Sequence, residues 1–337
     1  MYFISFNFKN LKLTEAKKIL IIRLSSLGDA LLTTPVVRSL KKSYPQLVID
    51  FIIKKNFADT VRLNPNVNNT IIYDDSSELL TQLLNNNYDL VIDLHNNFRS
   101  RKIARHLGLP VYKFVKPNFE KFILVHFKIN LLKGIKPITQ RYASVIPNFE
   151  LDDYGLDLFI PDSSKSELDE FKYVIGICPG AVHFTKMWPL EFYAEFGRKL
   201  TADGYKVAIF GGDSDKIVCS DLKKMIPDAI DLSNENDLFQ TAAHMKKCKI
   251  VVCNDSGLMH TATALGKPVI SIFGSTVKEF GFAPYGVPSL VIENHDLNCR
   301  PCTHIGKSKC PKSHFKCMTE IAPSLVYDQF KNLLGSL

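Results

Sequence analysis

Short apolar segments alternate with amphipathic ones along the first third of the chain. The apolar runs cover residues 17–24, 47–54, 68–74 and 88–94, and segments with helical spacing lie between them at 30–42, 56–63 and 77–85. Pro35 falls near the first turn of the first helix or marks a kink in it. Runs that are apolar on both faces are typical of parallel strands covered by helices on each side. The pattern therefore predicts a parallel sheet with right-handed crossovers.

The same alternation restarts at residue 173. Strands are predicted at 173–180, 205–212, 229–231, 248–253 and 269–273, with helices at 189–203, 215–226 and 258–266. The stretch 150–172 is rich in Asp and Ser, contains one Pro, and is interpreted as a linker. A chain of 337 residues also suits two domains of about 150 residues each. We therefore predict two Rossmann-like domains, residues 1–160 and 161–337.

Charge and composition exclude several classes of protein. The net charge is +8, but Lys and Arg are scattered and no aromatic-basic RNA motif is present, so no nucleic-acid partner is expected. No apolar run approaches the roughly 20 residues of a transmembrane helix, and the first eighteen residues do not resemble a signal peptide. A cytoplasmic location is expected. Neither half contains G-x-G-x-x-G or G-x-x-x-x-G-K-[ST], which argues against an NAD-binding protein or a P-loop NTPase.

The segment NDSGLMHTATALGKPVISIFGST, residues 254–276, carries a candidate anion site. Asp255, Ser256 and Gly257 follow a buried strand and precede a helix whose first N–H groups have no partner within the helix. A hydroxyl, a glycine and the helix dipole at such a turn favour a phosphate group. An ordinary strand-to-helix turn of a doubly wound domain is the alternative interpretation.

Four segments together resemble glycosyltransferase family nine, the ADP-heptose:lipopolysaccharide heptosyltransferases. They are residues 21–45 (IIRLSSLGDALLTTPVVRSLKKSYP), 93–100 (DLHNNFRS), 179–196 (PGAVHFTKMWPLEFYAEF) and 254–276, in the order the family has them. The cysteine-rich tail resembles that of heptosyltransferase II-like members. The resemblance implies the GT-B fold, two Rossmann-like domains with parallel sheets facing a central cleft. It also implies an acceptor-binding domain at 1–160 and a nucleotide-sugar-binding domain at 161–337.

The resemblance implies an inverting transfer of heptose from ADP-heptose to an inner-core lipopolysaccharide sugar, without a metal at the reaction centre. Asp29, in the LGD turn, would be the general base, and a helix N-cap is the alternative. Lys186 would stabilise the diphosphate charge as ADP departs. The implied donor-binding residues also include Thr185, Ser256 and Gly257 at the diphosphate, and Asp213 or Asp215 at the ribose. Asp255 would contact the heptose hydroxyls or its own loop. His260 would contact the phosphates, and a structural histidine is the alternative for it.

Arginines of the first half suit an acidic acceptor. The inner-core acceptor carries phosphate or carboxylate groups, to which guanidinium groups bind in forked pairs. Arg99 and Arg141 are the candidates we favour, and a solvated helix face is the alternative for the neighbouring arginines 101 and 105. The implied partners are ADP-heptose and a lipid A–core oligosaccharide at the inner membrane surface, where the protein would be peripheral.

A cysteine cluster occupies residues 299–317. Cys299, Cys302, Cys310 and Cys317 have the spacing C-x2-C-x7-C-x6-C. In a reducing cytosol such spacing favours a structural Zn or Fe site over two disulfides, with His304 or His314 able to replace one thiolate. The sequence leaves two other functions open: another nucleotide-sugar transferase of this fold, such as a protein heptosyltransferase, and a non-catalytic nucleotide-binding scaffold. A scaffold would not need a base such as Asp29.

Overall fold

The computed structural model describes residues 13–337, which form two compact units. The first unit contains the described residues up to Lys116 together with Thr139–Asp152, and the second contains Pro117–Ile138 and Asp153–Leu337. This division differs from the predicted boundary at residue 160. The segment 117–138 belongs to the second unit because its apolar side chains, Leu124 and Leu132, bury themselves against Phe280.

The first unit is built on a five-stranded parallel sheet with the order β3-β2-β1-β4-β5. Up to α6, the chain forms β1 (Lys18–Ile22), α1 (Leu27–Leu31), α2 (Thr34–Ser43), β2 (Val48–Lys54), β3 (Asn69–Tyr73), α3 (Ser77–Asn85), β4 (Leu90–Asp93), α4 (Phe98–Leu107), β5 (Val111–Lys113), α5 (Asn118–Phe127) and α6 (Ile138–Ala143). α5 is the element of this series that packs in the second unit.

The second unit contains a six-stranded parallel sheet with the order β11-β10-β9-β6-β7-β8. Its elements are β6 (Val174–Cys178), α7 (Leu190–Ala202), β7 (Lys206–Ile209), α8 (Lys216–Met225), β8 (Ile230–Asp231), α9 (Leu238–Met245), β9 (Cys248–Asn254), α10 (Gly257–Ala264), β10 (Val269–Phe273), β11 (Ser289–Glu293), α11 (Lys316–Thr319) and α12 (Pro323–Gly335). Apolar side chains alternate between two cores: Ile175 and Ile177 lie on one face of β6, and Val174 and Cys178 on the other. This two-sided burial explains why the strands are apolar throughout.

Two predicted helices of the first half differ in the structure. The helix predicted at 30–42 is divided into α1 and α2, because Pro35 lacks an N–H and stands at the start of α2. The hydroxyls of Thr33 and Thr34 bond to the carbonyls of Ala30 and Leu31 at this break. The helix predicted at 56–63 is a 3-10 helix, Lys55–Thr60. In the second half, the predicted strands agree with β6 to β10 and the predicted helices with α7, α8 and α10, within a few residues.

Because both sheets are parallel, the carboxyl ends of neighbouring strands meet at one edge of each sheet. In the first unit this edge carries the loops after β1 and β4. In the second unit it carries the loops after β6, β9 and β10, which are adjacent strands. These loops contain most of the predicted site residues. Nowhere in residues 13–337 is there a helix with both the length and the apolar character needed to span a bilayer.

Candidate active site

Asp29 lies in the first turn of α1, directly after β1. Its carboxylate accepts hydrogen bonds from the hydroxyl of Ser26 at 3.0 Å and from the hydroxyl of Tyr142 at 3.4 Å. The guanidinium of Arg23 forms an ion pair with Oδ1 at 2.7 Å. About a fifth of the Asp29 side chain, 22%, remains exposed. Asp29 therefore bonds back to the helix N-terminus, as a cap would, but it is also held by two groups from outside the helix.

Arg23 organises the surroundings of Asp29. Its side chain is buried and donates to the carbonyl oxygens of Ser25 and Leu94 at 2.9 and 2.8 Å, and to the hydroxyl of Tyr142 at 2.8 Å. These bonds join the ends of β1 and β4 to α6 and leave one guanidinium nitrogen for Asp29. Sequence reasoning missed Arg23. The available signal was an arginine in an otherwise apolar strand, which needs a buried partner for its charge.

His95 and Lys116 add two further polar groups near Asp29. Burial lowers the pKa of His95 to about 3, and the positive charges of Arg23 and Lys116 contribute to the decrease. Burial and the charge of Arg23 also lower the pKa of Lys116. Within the described part of the chain, Nδ1 of His95 has no hydrogen-bond partner. A neutral imidazole with an open nitrogen is suited to bind a hydroxyl of a sugar. Neither residue was singled out from the sequence, although His95 lies within the matching segment 93–100.

The two predicted acceptor-side arginines are placed differently. Arg141 belongs to α6, next to Tyr142, and its guanidinium stacks over the ring of Phe114 at 5.3 Å. Arg99 is exposed near the start of α4, and its positive charge helps to lower the pKa of Asp75, whose main cause is the hydrogen bond from Lys102. The structure thus brings Arg141 into the surroundings of Asp29 through Tyr142, whereas the contacts of Arg99 lie toward Asp75.

In the second unit, Asp255 joins three loops at the carboxyl edge of the sheet. Its Oδ2 forms an ion pair with Nζ of Lys186 at 2.7 Å and accepts a hydrogen bond from the hydroxyl of Thr276 at 2.7 Å. Lys186 belongs to the loop after β6, Asp255 to the loop after β9 and Thr276 to the loop after β10. We call these the three donor loops. Asp255 therefore fixes the three loops to one another, and its predicted contact with the heptose hydroxyls stays a prediction.

The N-terminus of α10 provides an anion-binding arrangement. Ser256 is the N-cap residue and Gly257 the first residue of the helix, so the first N–H groups point away from the helix body. The hydroxyl of Ser256 is buried and has no hydrogen-bond partner within residues 13–337. His260 is buried in the first turn. An unused hydroxyl, free helix N–H groups and the ammonium of Lys186 on Asp255 form a polar set suited to a diphosphate.

The hydroxyl of Thr185 bonds to the cysteine-rich segment, and its predicted contact with the donor stays a prediction. Thr185 is buried, and its Oγ1 accepts a hydrogen bond from the backbone N–H of Lys307 at 2.8 Å. Its own N–H donates to the carbonyl of Lys307 at 3.1 Å. Thr185 therefore attaches the loop that carries Lys186 to the cysteine-rich segment 299–317.

The carboxylates proposed for the ribose differ in position. Asp213 is exposed and pairs with Lys216 at 3.4 Å. Asp215 is half-buried, which raises the pKa of its carboxyl group, and it accepts a hydrogen bond from the N–H of Gly212 at 3.1 Å. Its carboxylate lies so close to Gly180 that a Cβ there would overlap it. Asp215 therefore lies at the ends of β6 and β7, whereas Asp213 points to solvent.

The cysteine-rich segment supports the loop after β10. Arg300, whose side chain is almost completely buried, donates hydrogen bonds to the carbonyls of Phe273, Gly274, Thr276 and Asn294, at 2.5–3.1 Å. It also pairs with buried Glu293 at 2.7 Å. The backbone N–H of Cys302 donates to the carbonyl of Ser275. The segment therefore contacts two of the three donor loops, those after β6 and β10.

The four cysteines of the segment are thiols in the structure. Sγ of Cys299 lies 3.7 Å from Nε2 of His314, and burial, with the nearby Cys310 and Cys299, raises the pKa of Cys302. Burial raises the pKa of Cys317 to about 12. Over the whole described chain, no three His, Cys, Asp or Glu side chains are arranged to hold a metal ion. The ligand types suit Zn or Fe, but this arrangement does not assemble them, so the metal site stays a prediction.

Comparison with known proteins identifies the family. The model of glycosyltransferase family 9 (heptosyltransferase) matches residues 77–312, well over half of the chain. The chain belongs to this family. Its parallel-sheet units confirm the predicted GT-B class of two Rossmann-like domains, and the protein is a glycosyltransferase.

Known proteins are similar to this chain over almost its entire length. The chain is 25% identical to lipopolysaccharide heptosyltransferase 2 of Salmonella typhimurium, over 94% of this chain and 99% of the relative. The fold is similar to a family 9 glycosyltransferase from Veillonella parvula, with a TM-score of 0.78 and 22% identity over 95% and 98% of the two chains. It is also similar to ADP-heptose LPS heptosyltransferase II of E. coli, with a TM-score of 0.74 and 23% identity over 95% and 99%.

Proposed function

We propose that this protein is an inverting heptosyltransferase that transfers L-glycero-D-manno-heptose from ADP-heptose to an inner-core sugar of lipopolysaccharide. The observation that carries the proposal is the family match, together with near full-length similarity to relatives named lipopolysaccharide heptosyltransferase 2. The acceptor is lipid-linked, so we propose that the protein works at the cytoplasmic surface of the inner membrane.

Asp29 acts as the general base in this proposal. Its carboxylate takes the proton of the acceptor hydroxyl while that oxygen attacks the anomeric carbon of the heptose from the face opposite to ADP. Arg23 and the hydroxyls of Ser26 and Tyr142 hold the carboxylate in one orientation. Because part of the side chain is exposed, a proton donor can reach it. His95 and Arg141 bind the hydroxyls and anionic groups of the acceptor.

The second unit stabilises the leaving group. As the bond between the anomeric carbon and the ADP oxygen breaks, negative charge increases on the diphosphate. The N–H groups of α10, the hydroxyl of Ser256 and the ammonium of Lys186 supply donors that are already in position before the reaction, an arrangement worth a few kcal/mol in the transition state. These donors do the work that a bound cation does in other nucleotide-dependent enzymes, so we propose that catalysis needs no metal.

Product analysis tests the proposal. The purified full chain is incubated with ADP-heptose and truncated lipid A–core acceptors, and the acceptor mass should increase by one heptosyl residue. Asp29→Asn should lower turnover by about 100-fold or more while leaving ADP-heptose binding unchanged. Asp221→Asn, on an exposed face of α8, is the matched control and should behave as wild type.

Three outcomes would contradict parts of this proposal. Absence of transfer by the wild-type protein to every core acceptor, with transfer to a polypeptide instead, would favour a protein heptosyltransferase. Transfer from a different nucleotide sugar would refute the donor. Near-wild-type turnover of Asp29→Asn would leave Asp29 as a helix cap, since asparagine can still accept the hydrogen bond from Ser26.

A further inference from the structure

Helix α5 (Asn118–Phe127) presents its apolar face to solvent. Phe119, Phe122 and Phe127 are 67%, 51% and 61% exposed, and Ile123 between them is only half-buried. Positions 119, 122, 123 and 127 have the spacing i, i+3, i+4 and i+8, which places these four apolar residues on one side of a helix. In a helix that only packs on its own domain, this side would face the core. Here it faces outward.

The opposite side of α5 packs on the second unit through fewer apolar groups. Leu124 is buried against Phe280, and the ammonium of Lys121 lies 5.7 Å from the ring centre of Phe280 and 5.5 Å from that of Phe282. Lys128 ends the helix and donates to the carbonyls of Cys299 and Pro301. The helix is therefore firmly anchored, and its outward orientation is set by these contacts.

The exposed apolar surface continues beyond the helix. Two further large apolar residues are more than half exposed in the turn that follows, and together the five form what we call the 119–131 patch: Phe119, Phe122, Phe127, Ile129 and Leu131. A monomeric soluble protein seldom leaves so many large side chains exposed in one short stretch, and such surfaces mark interaction sites.

Positive charge surrounds the 119–131 patch. Between residues 118 and 136 the chain has four lysines and a single acidic residue, Glu120. Lys133 and Lys136, which follow the patch, are exposed. Phenylalanines flanked by lysines fit the boundary of an anionic bilayer, where rings insert at the level of the first acyl carbons and ammonium groups reach the headgroups. An apolar protein partner would not require this charge.

We propose that the 119–131 patch docks the protein on the surface of a membrane containing anionic lipids. The phenylalanines of α5 enter the headgroup–acyl boundary, and Lys133 and Lys136 contact lipid phosphates. This inference deepens the proposed function, on which it rests for its biological meaning, because an enzyme held at the membrane meets a lipid-linked acceptor at high local concentration. The binding itself follows from the surface alone.

Sedimentation with vesicles tests the docking surface. The full chain is mixed with vesicles of phosphatidylcholine alone or with added phosphatidylglycerol, and the bound fraction is measured. Wild type should bind the phosphatidylglycerol vesicles preferentially. The triple variant Phe119→Ser/Phe122→Ser/Phe127→Ser should bind at least about tenfold more weakly, because burial of apolar area supplies much of interfacial binding. Ile217→Ser, which changes an 80% exposed residue of α8, is the matched control and should bind normally.

Charge reversal separates the two components of binding. Lys133→Glu/Lys136→Glu should remove most of the preference for phosphatidylglycerol, since each lysine near an anionic surface strengthens binding by about fivefold. Wild-type melting temperatures of all variants would establish that they fold. Equal vesicle binding by wild type and the triple serine variant would overturn the proposal. Self-association of the wild type that the serine variant abolishes, without vesicle binding, would also overturn it and identify a second copy as the partner.

A soluble acceptor distinguishes this inference from the proposed function. On a deacylated core oligosaccharide the triple serine variant should have wild-type turnover, and on the same acceptor embedded in vesicles it should be slower. Vesicle binding without any heptose transfer would sustain the docking surface and refute the proposed reaction. Transfer with equal rates on both acceptor forms for both proteins would sustain the reaction and refute the docking role.

Discussion

Removal of the Arg300 side chain should destabilise the second unit and weaken donor binding together. Arg300 and Glu293 form a buried ion pair, with side chains 5% and 2% exposed. Arg300→Ala leaves Glu293 as an uncompensated buried charge and leaves the carbonyls of Gly274 and Thr276 without their donor. Breaking a buried pair by removing one partner typically costs about 3–5 kcal/mol.

The expected change in melting temperature follows from the size of the unit. The second unit contains most of the chain, Pro117–Ile138 and Asp153–Leu337. A domain of about 150–250 residues loses roughly 2–4 °C per kcal/mol, so the unfolding of this unit should shift downward by about 6–20 °C. Differential scanning calorimetry measures this shift directly. Lys224→Ala, which breaks an exposed pair with Asp221, should change the melting temperature by less than about 2 °C.

Donor affinity reports whether Arg300 also positions the site. Thr276, whose carbonyl binds Arg300, holds Asp255 through its hydroxyl, and Asp255 holds Lys186. Below the melting temperature, calorimetric titration with ADP should therefore show an affinity decrease of about tenfold or more, equivalent to about 1.4 kcal/mol. Arg300→Lys should restore part of the stability but little of the affinity, because an ammonium cannot reach the separate carbonyls that the guanidinium fork bridges.

Two results would refute this reasoning. A melting temperature of Arg300→Ala within about 2 °C of wild type would mean that the pair contributes less than about 1 kcal/mol. The double variant Arg300→Ala/Glu293→Gln provides an internal check, because it removes the unpaired charge and should be more stable than Arg300→Ala alone. Unchanged ADP affinity in a folded Arg300→Ala would reduce Arg300 to a purely structural role.

Three further predictions concern other parts of the molecule. Lys186→Ala should weaken ADP binding by about tenfold or more in calorimetric titration. The double variant Lys186→Ala/Asp255→Asn should lose less affinity, because the single variant leaves an unpaired carboxylate beside the diphosphate. Equal losses of affinity in the two variants would show that the ion pair does not explain the effect. If the cysteines bind a metal, the purified chain should contain about one equivalent of Zn or Fe that Cys302→Ser loses, with a lower melting temperature; four titratable thiols and no metal would refute the site. The pKa of His95 is lowered to about 3 in the folded protein, from about 6.5 in the unfolded chain. Between these pH values the unfolded chain binds a proton at His95 that the folded protein does not bind. The free energy of unfolding should therefore decrease as the pH falls, by up to about 1.4 kcal/mol per pH unit. His95→Gln should show a smaller loss between pH 7 and about pH 5 in denaturant titrations, and an identical pH dependence would contradict the assignment.

Much of the secondary structure could be predicted from local patterns. The strands of both sheets are continuous apolar runs. Helices α7 and α10 begin after Pro189 and Ser256 and are followed by Gly204 and Gly266, residue types that favour helix starts and ends. The break at Pro35 could also be predicted, because the missing N–H of a proline disturbs the helix in which the proline itself lies.

Helices α5, α6, α9, α11 and α12 and strands β5 and β11 were not predicted. For α5 there is a physical reason: apolar residues lie on its exposed side, as Phe119 and Phe122 do, as well as on its buried side at Leu124, so no polar side marks an amphipathic helix.

The loops after β6 and β9 and the LGD turn could be found from the sequence because parallel sheets place such turns at one edge. What only the tertiary structure decided are the partners over long sequence separations. Arg23 reaches Tyr142, Lys186 reaches Asp255, and Arg300 reaches the loop after β10. A buried charge in the sequence indicates that some partner must exist. Which partner it is depends on how strands and loops distant in the chain are stacked, and that information resides in the packing of the sheets rather than in any local pattern.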